Sequence, residues 1–228
     1  MYVSSMKKYS HLLFDHDGVL VNTEHLYYES TRRILAELGV DLTLPIYMQV
    51  MVNGSDVWEL AVAKGISEEV IASQRLQRNQ LYQQLLGAED LSINGVEEVL
   101  VNLKQKHSMA IVTTCKDADF AYIHDQKKGA PGCDLNIVPH MDLVLTRSSY
   151  TNSKPDPEPY LTALARFSIQ SHQALVIEDS ERGLRSAVAA GIDCAVVEYA
   201  FTASQDFSQA TYRIKNLAEL VVLLNGGD

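Results

Sequence analysis

Five short apolar segments recur along the chain, and stretches with helical periodicity lie between them. The segments predict strands at 11–15, 109–113, 143–145, 174–178 and 193–197. Short continuous apolar runs are typical of strands that are buried on both faces of a parallel sheet. The helical patterns lie near 96–106, 157–168, 181–190 and 216–224. Because strands and helices alternate, we expect βαβ units with right-handed crossovers, and therefore an α/β fold with a Rossmann-like parallel-sheet core.

One long interval, residues 22–91, interrupts this alternation and contains no convincing strand. Its apolar spacing predicts several amphipathic helices, among them 24–38, 57–64 and 67–86. The chain is therefore expected to leave the sheet after Gly18 and to return near Asn94. The predicted organisation is an α/β core domain of residues 1–20 and 94–228, with an inserted all-helical cap domain of residues 21–93.

The overall charge and the cysteine content limit what the chain binds and where it works. The 228 residues carry a formal net charge of −10, which disfavours nucleic acid and anionic membranes as partners. The three cysteines form no Cys-x-x-Cys pair, which fits a reducing compartment and argues against a disulfide framework or a structural zinc site. The first apolar run is cut short by Asp15, unlike a signal peptide, and no stretch approaches the length of a membrane span. The expected location is the cytoplasm.

The first apolar segment ends in two carboxylates, since residues 11–18 read His-Leu-Leu-Phe-Asp-His-Asp-Gly. Asp15 and Asp17 are expected on the same side of an extended chain, with His16 pointing away from them. Two crowded carboxylates persist mainly where a cation neutralises them or where one of them holds a proton. A calcium loop would need a glutamate at its twelfth position, where this chain has Leu26; a plain surface turn stays open at this point.

Polar side chains also follow the other predicted strands. Thr113 and Thr114 come at the end of the second strand, Lys154 lies beyond the third, and Glu178 and Asp179 end the fourth. Each has an ordinary alternative, because threonine suits strands, most lysines are solvated, and acids near a helix start interact favourably with the helix dipole. The carboxyl ends of parallel strands meet at one edge of a sheet, so we expect these groups to converge.

The converging groups have a consistent chemistry. Asp15 and Asp179 supply hard oxygen ligands, which suit Mg²⁺. Lys154 and the Thr113 hydroxyl suit a phosphoryl group, and the Thr114 hydroxyl is a further candidate contact to the substrate. The combination therefore favours a site at which Mg²⁺ and a phosphoryl group meet.

With these four groups in order, the chain resembles the haloacid dehalogenase superfamily, in the group that carries a helical cap after its first motif. The resemblance covers nearly the whole chain. Its motifs are Phe14-Asp15-His16-Asp17-Gly18-Val19-Leu20-Val21-Asn22-Thr23-Glu24, Thr113, Lys154-Pro155-Asp156-Pro157, and Glu178-Asp179-Ser180 through Gly183. Asn22 departs from the pattern, because related caps often have aspartate at this position.

The resemblance implies a role for each motif residue. Asp15 would be the nucleophile that takes the phosphoryl group as an aspartyl-phosphate. Asp17 would protonate the leaving oxygen and then activate water, which requires a carboxyl group that can hold a proton near neutral pH. Thr113 and Lys154 would bind phosphoryl oxygens, and Lys154 would also orient Asp15. Mg²⁺ would be held by Asp15, the backbone carbonyl of Asp17, Asp179 and Glu178, the last directly or through water.

The presence of Asp17 favours phosphate esters as substrates, because the dehalogenases of the superfamily lack an aspartate at this position. The predicted function is a Mg²⁺-dependent phosphatase acting on a small phosphorylated metabolite. A β-phosphoglucomutase-like sugar phosphomutase uses the same residues and is the alternative, although the cap offers Lys64 without a clear arginine–lysine pair for a second phosphate. A non-catalytic binding or regulatory scaffold is a third possibility, which the intact motifs disfavour.

Two further segments are expected to shape the entrance to the site. Asn53 and Ser55 fall between predicted cap helices, where related caps present a specificity loop, so both are candidate substrate contacts; a helix-capping turn is the alternative. Trp58 is expected in the core of the cap. Residues 128–142 contain two prolines and two glycines and predict a long irregular connection of unassigned role.

Overall fold

Six strands form one parallel sheet in a computed structural model that describes residues 9–126 and 135–226. In chain order they are β1 (His11–Phe14), β2 (Ser108–Val112), β3 (Leu143–Leu145), β4 (Ala174–Glu178), β5 (Asp193–Val197) and β6 (Tyr212–Ile214). They lie in the order β3-β2-β1-β4-β5-β6, so the first strand of the chain is near the centre. The predicted α/β, Rossmann-like fold class is confirmed, and the five predicted strands are present. Strand β6, at one edge of the sheet, was not among the predicted strands.

The central strand β1 shows how the sheet is buried on both faces. Leu12, Leu13 and Phe14 are completely inaccessible to solvent. Leu12 and Phe14 pack in one hydrophobic cluster and Leu13 in another, as the alternation of side chains along a strand requires. Phe14 pairs with the strands on both sides, so the next residue, Asp15, emerges at the carboxyl edge between two neighbouring strands.

Four helices follow β1 before the chain returns to the core, and we call them the helical insertion. They are α1 (Glu24–Glu37), α2 (Leu44–Val52), α3 (Glu59–Ala63) and α4 (Glu68–Ala88). They have a hydrophobic cluster of their own, in which Leu35, Tyr47 and Trp58 are buried, so Trp58 lies where the sequence placed it. Helix α2 was not among the predicted helices, because its apolar residues face several directions and it contains Pro45, which here occupies the first turn, where proline is tolerated.

The two chain segments that connect the helical insertion to the sheet run side by side. Val21 forms an isolated antiparallel bridge with Ser92. The backbone N–H of Asn22 donates to the carbonyl oxygen of Leu91 at 2.9 Å. The insertion therefore leaves and re-enters the core at adjacent points.

Five further α-helices flank the sheet in the described part of the chain. They are α5 (Val96–Lys104), α6 (Asp117–Ala121), α7 (Glu158–Phe167), α8 (Glu181–Ala189) and α9 (Leu217–Asn225). Helices α5 and α9 contribute to the cluster on one face of the sheet, and α7 and α8 to the cluster on the other. Each face of the sheet is thereby covered, which is the arrangement that parallel sheets require.

The irregular connection predicted over 128–142 lies partly outside the described residues. Its described part begins at Leu135 and contains a short 3-10 turn at Val138–His140. Before it, a π-helical turn spans Tyr122–Gln126 and directly follows α6. Among the helices of residues 9–126 and 135–226, none combines the length and the apolar character needed to cross a membrane.

Candidate active site

Lys154 joins the ends of three strands at the carboxyl edge of the sheet. Its ammonium group donates to Asp15 Oδ1 at 2.7 Å, to Glu178 Oε1 at 2.7 Å and to the carbonyl oxygen of Val112 at 2.8 Å. Only 3% of Lys154 is exposed. Burial opposes its charge, but Asp15 and Glu178 outweigh burial and raise the pKa of Lys154 above its usual range. The lysine is therefore a fixed positive charge, and within residues 9–126 and 135–226 we find no hydrogen-bond donor to the second oxygen of Asp15.

Glu178 is the most completely bonded carboxylate of the site. The Tyr160 hydroxyl donates to Oε1 at 2.8 Å, and the Ser180 hydroxyl donates to Oε2 at 3.0 Å. Burial raises its pKa, but Lys154 and these hydroxyl groups reverse the effect and lower it. Gly183 makes the arrangement possible, because a Cβ at that position would lie 1.9 Å from the Glu178 carboxyl carbon.

Asp15 and Asp179 are crowded carboxylates with fewer hydrogen bonds, since Asp15 accepts one from Lys154. With Glu178 they form a group whose oxygen atoms lie within 4.8 Å of one another. Asp179 is 2% exposed, and we find no hydrogen-bond donor to its carboxylate within residues 9–126 and 135–226. Burial and the charge of Glu178 raise the pKa of Asp15 to about 7 and that of Asp179 well above its usual range. A cation would relieve both effects.

The space around these carboxylates suits a small hard cation. A cavity of about 20 Å³, enough for one water-sized group, is bordered by Asp15, Asp17 and Asp179. Gly18 approaches Asp179 closely, since a Cβ there would lie 2.3 Å from Oδ2, and its φ of +85° also favours glycine. Oxygen-only donors in a narrow space match the preferences of Mg²⁺. The residues predicted as metal ligands therefore fit this ion.

Asp17 lies beside this group and receives hydrogen bonds from three side chains. The Thr23 hydroxyl donates to Oδ1, the Thr113 hydroxyl donates to Oδ2 at 3.3 Å, and His16 Nδ1 lies 3.3 Å from Oδ2. Burial raises the pKa of Asp17, but His16 and the two hydroxyl groups outweigh burial and lower the pKa to about 2. The side chains around Asp17 thus favour its ionised form.

The expectation that His16 points away from the aspartates is wrong. The carbonyl oxygen of His16 accepts hydrogen bonds from the N–H groups of Leu20 and Val21, at 2.9 and 3.0 Å. The chain therefore turns directly after Asp15, and the alternation of side chains that holds within a strand no longer applies. As a result the His16 ring is completely buried against Asp17.

A cavity of about 330 Å³ opens between the helical insertion and the sheet edge. Asp17 lies at its wall, together with Ser55 and Thr114, two of the predicted substrate contacts. Asn53 is exposed where α2 ends, and the adjoining Ser55 reaches the cavity instead. Gly54 allows this loop to approach the core. A Cβ at this position would lie 2.8 Å from Pro155 Cδ, which is inside contact distance.

The wall of this cavity carries cationic side chains that were not among the predicted site residues. They are Arg75, Lys116, Arg147 and Arg182. The Arg182 guanidinium also donates to the Thr114 hydroxyl at 3.3 Å. Lys64, the cap lysine weighed from the sequence, instead donates to the carbonyl oxygen of Gly39. Lys116, two residues beyond Thr114, could have been found from its place at a strand end, whereas only the packing of α4 brings Arg75 to the site.

Comparison with known proteins places the chain in a family. The family described as haloacid dehalogenase-like hydrolase matches residues 12–197. The chain belongs to this family. A relative, the phosphorylated carbohydrates phosphatase of Thermotoga maritima, is 27% identical over 187 residues, which cover 80% of this chain and 82% of the relative. The fructose-1-phosphate phosphatase YqaB of Escherichia coli is 25% identical over 195 residues, which cover 82% of this chain and 95% of the relative.

A solved structure with the same fold is that of CbbY from Rhodobacter sphaeroides in complex with phosphate. It superposes with a TM-score of 0.73 at 23% identity, over 93% of this chain and 96% of CbbY. The family predicted from the four motifs is confirmed. The chain is accordingly an enzyme of the haloacid dehalogenase-like hydrolases, and several of its relatives are phosphatases.

Proposed function

We propose that this enzyme is a Mg²⁺-dependent phosphatase that hydrolyses a small phosphorylated metabolite through an aspartyl-phosphate at Asp15. The observation that carries the proposal is the pair of contacts around Asp15. Lys154 fixes one of its oxygens at 2.7 Å, and the unpartnered Asp179 lies alongside. The relatives named for phosphorylated carbohydrates and fructose 1-phosphate favour a sugar phosphate as the substrate.

The first step transfers the phosphoryl group to the protein. The free oxygen of Asp15 attacks phosphorus, the bond from phosphorus to the leaving oxygen breaks, and Asp17 gives that oxygen a proton. Asp17 must first gain the proton, and the negative charge of an arriving phosphate raises its pKa, because like charges favour the neutral acid. In the second step Asp17 takes a proton from water, the water oxygen attacks phosphorus, and the bond between Asp15 and phosphorus breaks.

Charge neutralisation is shared between Lys154 and the metal site. Asp15, Asp179 and the backbone carbonyl of Asp17 would hold Mg²⁺, with Glu178 contributing through water because both of its oxygens already accept hydrogen bonds. Bound Mg²⁺ supplies positive charge that lets the phosphate approach two carboxylates. Lys154 supplies the second positive charge and holds Asp15 in one orientation.

The helical insertion is proposed to act as the cap domain, within residues 21–93, over a core of residues 1–20 and 94–228. Its loop at Ser55 and its helix α4 line the 330 Å³ cavity that faces Asp17. A cap in this place excludes water and contacts the leaving group. Ser55 and Thr114 remain the proposed substrate contacts. Asn53 would contact the substrate only after a movement of the loop. The cytoplasmic location stays a prediction.

The sugar phosphomutase alternative is favoured by one observation. Arg75 from α4 lines the cavity together with Lys116 and Arg147 of the core, and its guanidinium is ion-paired with Asp56. The insertion therefore brings one arginine to the wall of this cavity, and the other two cations come from the core. A phosphomutase returns the phosphoryl group to sugar, whereas a phosphatase gives it to water. The two therefore differ in product and not in the residues around Asp15.

The test is a screen of phosphorylated sugars in the presence of Mg²⁺ that measures both free phosphate and isomerised product. The proposal expects free phosphate, which EDTA abolishes and added Mg²⁺ restores. Asp15→Asn should lower turnover by at least about 10³-fold, because the nucleophile is lost. Isomerised sugar phosphate without free phosphate supports the mutase, and full activity of Asp15→Asn overturns both.

A further inference from the structure

The His16 ring has a partner on each of its nitrogens although it is completely buried. Nδ1 lies 3.3 Å from Asp17 Oδ2, and Nε2 lies 2.9 Å from His124 Nε2. Both imidazole rings pack against Phe120, with ring centroids 5.1 and 4.5 Å from it. The two histidine rings thus pack side by side next to Asp17, with His16 buried and His124 partly exposed.

The hydrogen-bonding capacity of the groups fixes the direction of the contact between His16 and Asp17. An ionised carboxylate only accepts hydrogen bonds, so His16 Nδ1 must carry the proton that faces Asp17. Nε2 of His16 and Nε2 of His124 share the second hydrogen bond, at 2.9 Å, in which one of the two nitrogens donates. His124 Nδ1 is buried and has no hydrogen-bond partner within residues 9–126 and 135–226. The contacts therefore form a continuous chain from His124 through His16 to Asp17.

The place of His124 in the fold supports a dedicated role for this chain. It lies in the π-helical turn Tyr122–Gln126, and such turns are rare and occur often at functional sites. The other two donors to Asp17 are threonine hydroxyls, which can rotate. The His16 ring is different, because Phe120 and His124 fix its plane.

We propose that His16, fixed by His124, is a positioning residue that holds the Asp17 carboxylate in the orientation needed for proton transfer. This inference rests on the proposed function, in which Asp17 protonates the leaving oxygen and later activates water. Without His16 the carboxylate is held by hydroxyl groups alone and turns out of line. Misplacement of a reacting group by about 1 Å typically lowers a rate by about 10²-fold.

The two steps of the reaction allow this role to be separated from a general structural one. 4-Nitrophenol leaves without a proton, so formation of the aspartyl-phosphate from 4-nitrophenyl phosphate does not need Asp17 as an acid. Hydrolysis of the aspartyl-phosphate still needs Asp17, because Asp17 takes the proton from the attacking water. A variant with a misplaced Asp17 should therefore release a rapid burst of 4-nitrophenol, one per active site, and then turn over slowly.

The experiment measures pre-steady-state 4-nitrophenol release by the full-length wild type, His16→Leu and His16→Asn with Mg²⁺ present. We expect a burst for His16→Leu with kcat about 10²-fold lower and kcat/KM within about threefold of the wild type. His16→Asn should recover most of kcat, because the asparagine amide can donate from the position of Nδ1. His107→Leu, which removes a half-buried histidine outside the site, is the matched control and should leave both constants unchanged.

His124→Phe provides a second variant if His16→Leu does not fold, since it keeps a ring on Phe120 but removes the bond to His16. It should give the same burst with a smaller loss of kcat. Equal losses of kcat and kcat/KM without a burst in these variants would overturn the positioning role. Absence of any activity in the wild type would instead reject the proposed phosphatase function.

Discussion

Gly183 is the residue at which one added methyl group should do most damage to the site. An alanine Cβ would lie 1.9 Å from the Glu178 carboxyl carbon and 1.9 Å from Oε1, far inside contact distance. Glu178 cannot retreat without leaving Lys154, Tyr160 and Ser180, which bond to it at 2.7, 2.8 and 3.0 Å. Gly183→Ala should therefore separate the buried pair of Glu178 and Lys154.

The size of the effect follows from two opposing contributions. Breaking a buried ion pair costs about 3–5 kcal/mol, because a charge is left without its partner. Alanine in a helix in place of glycine stabilises it by about 1 kcal/mol. The free energy of unfolding should therefore fall by about 2–4 kcal/mol, which for a chain of this size lowers Tm by about 4–16 °C.

The assay is thermal unfolding by calorimetry, with urea unfolding as a second measure of the free energy. Gly87→Ala is the matched control, because it makes the same change inside helix α4. There the added Cβ meets only the Tyr122 hydroxyl, at 2.6 Å, which is the far end of a side chain. If Gly183→Ala is as stable as Gly87→Ala, the close packing of Glu178 against α8 is not what restricts this position to glycine.

Three further outcomes are expected. Saturating Mg²⁺ should raise Tm by about 5–10 °C, and Asp179→Asn should abolish the shift, because binding only to the folded state stabilises it. Burial beside His16 lowers the pKa of His124 to about 3, so between pH 6 and pH 4 the unfolded chain binds a proton at this histidine and the folded chain does not. As the pH falls from 6 to 4, the free energy of unfolding of the wild type should therefore decrease, by up to about 1.4 kcal/mol per pH unit more than that of His124→Phe. Phe201→Ala should raise KM about tenfold with little change in kcat, because Phe201 packs on Tyr28 and Tyr47 of the insertion at 6.0 and 6.2 Å; an unchanged KM contradicts this role.

The parts of the fold that the sequence predicted are those with strong local patterns. Fully buried parallel strands read as unbroken apolar runs, so β1, β2 and β4 were recognisable. Strand β6 was not, because Tyr212–Ile214 is a three-residue edge strand with an exposed arginine at its centre. Helix α2 was missed for a related reason, since its register depends on packing within the insertion and not on a clean apolar stripe.

The residues of the site likewise fall into those that the sequence could predict and those that it could not. Side chains at strand ends could be predicted, because the topology of a parallel sheet alone brings them together, and Asp15, Lys154 and Glu178 are joined through bonds of 2.7 Å. Tyr160 and Arg75 come from helices, and the turn of helix that faces the site is decided by tertiary packing. The orientation of His16 depended on where the strand ends, and an error of one residue there reverses the side on which a side chain lies.

The bridge between Val21 and Ser92 has a consequence for how proteins of this architecture diversify. Because the entry and exit of the helical insertion are neighbours, a helical unit of any length can be grafted there without stretching the sheet. A chimera joined at these two residues should keep Lys154, Asp15 and Glu178 in place, provided that the contacts at Gly54 and Phe201 are rebuilt. The residues proposed for the reaction thus lie on the core, and the insertion supplies a stretch of cavity wall that can be exchanged while those residues are inherited unchanged.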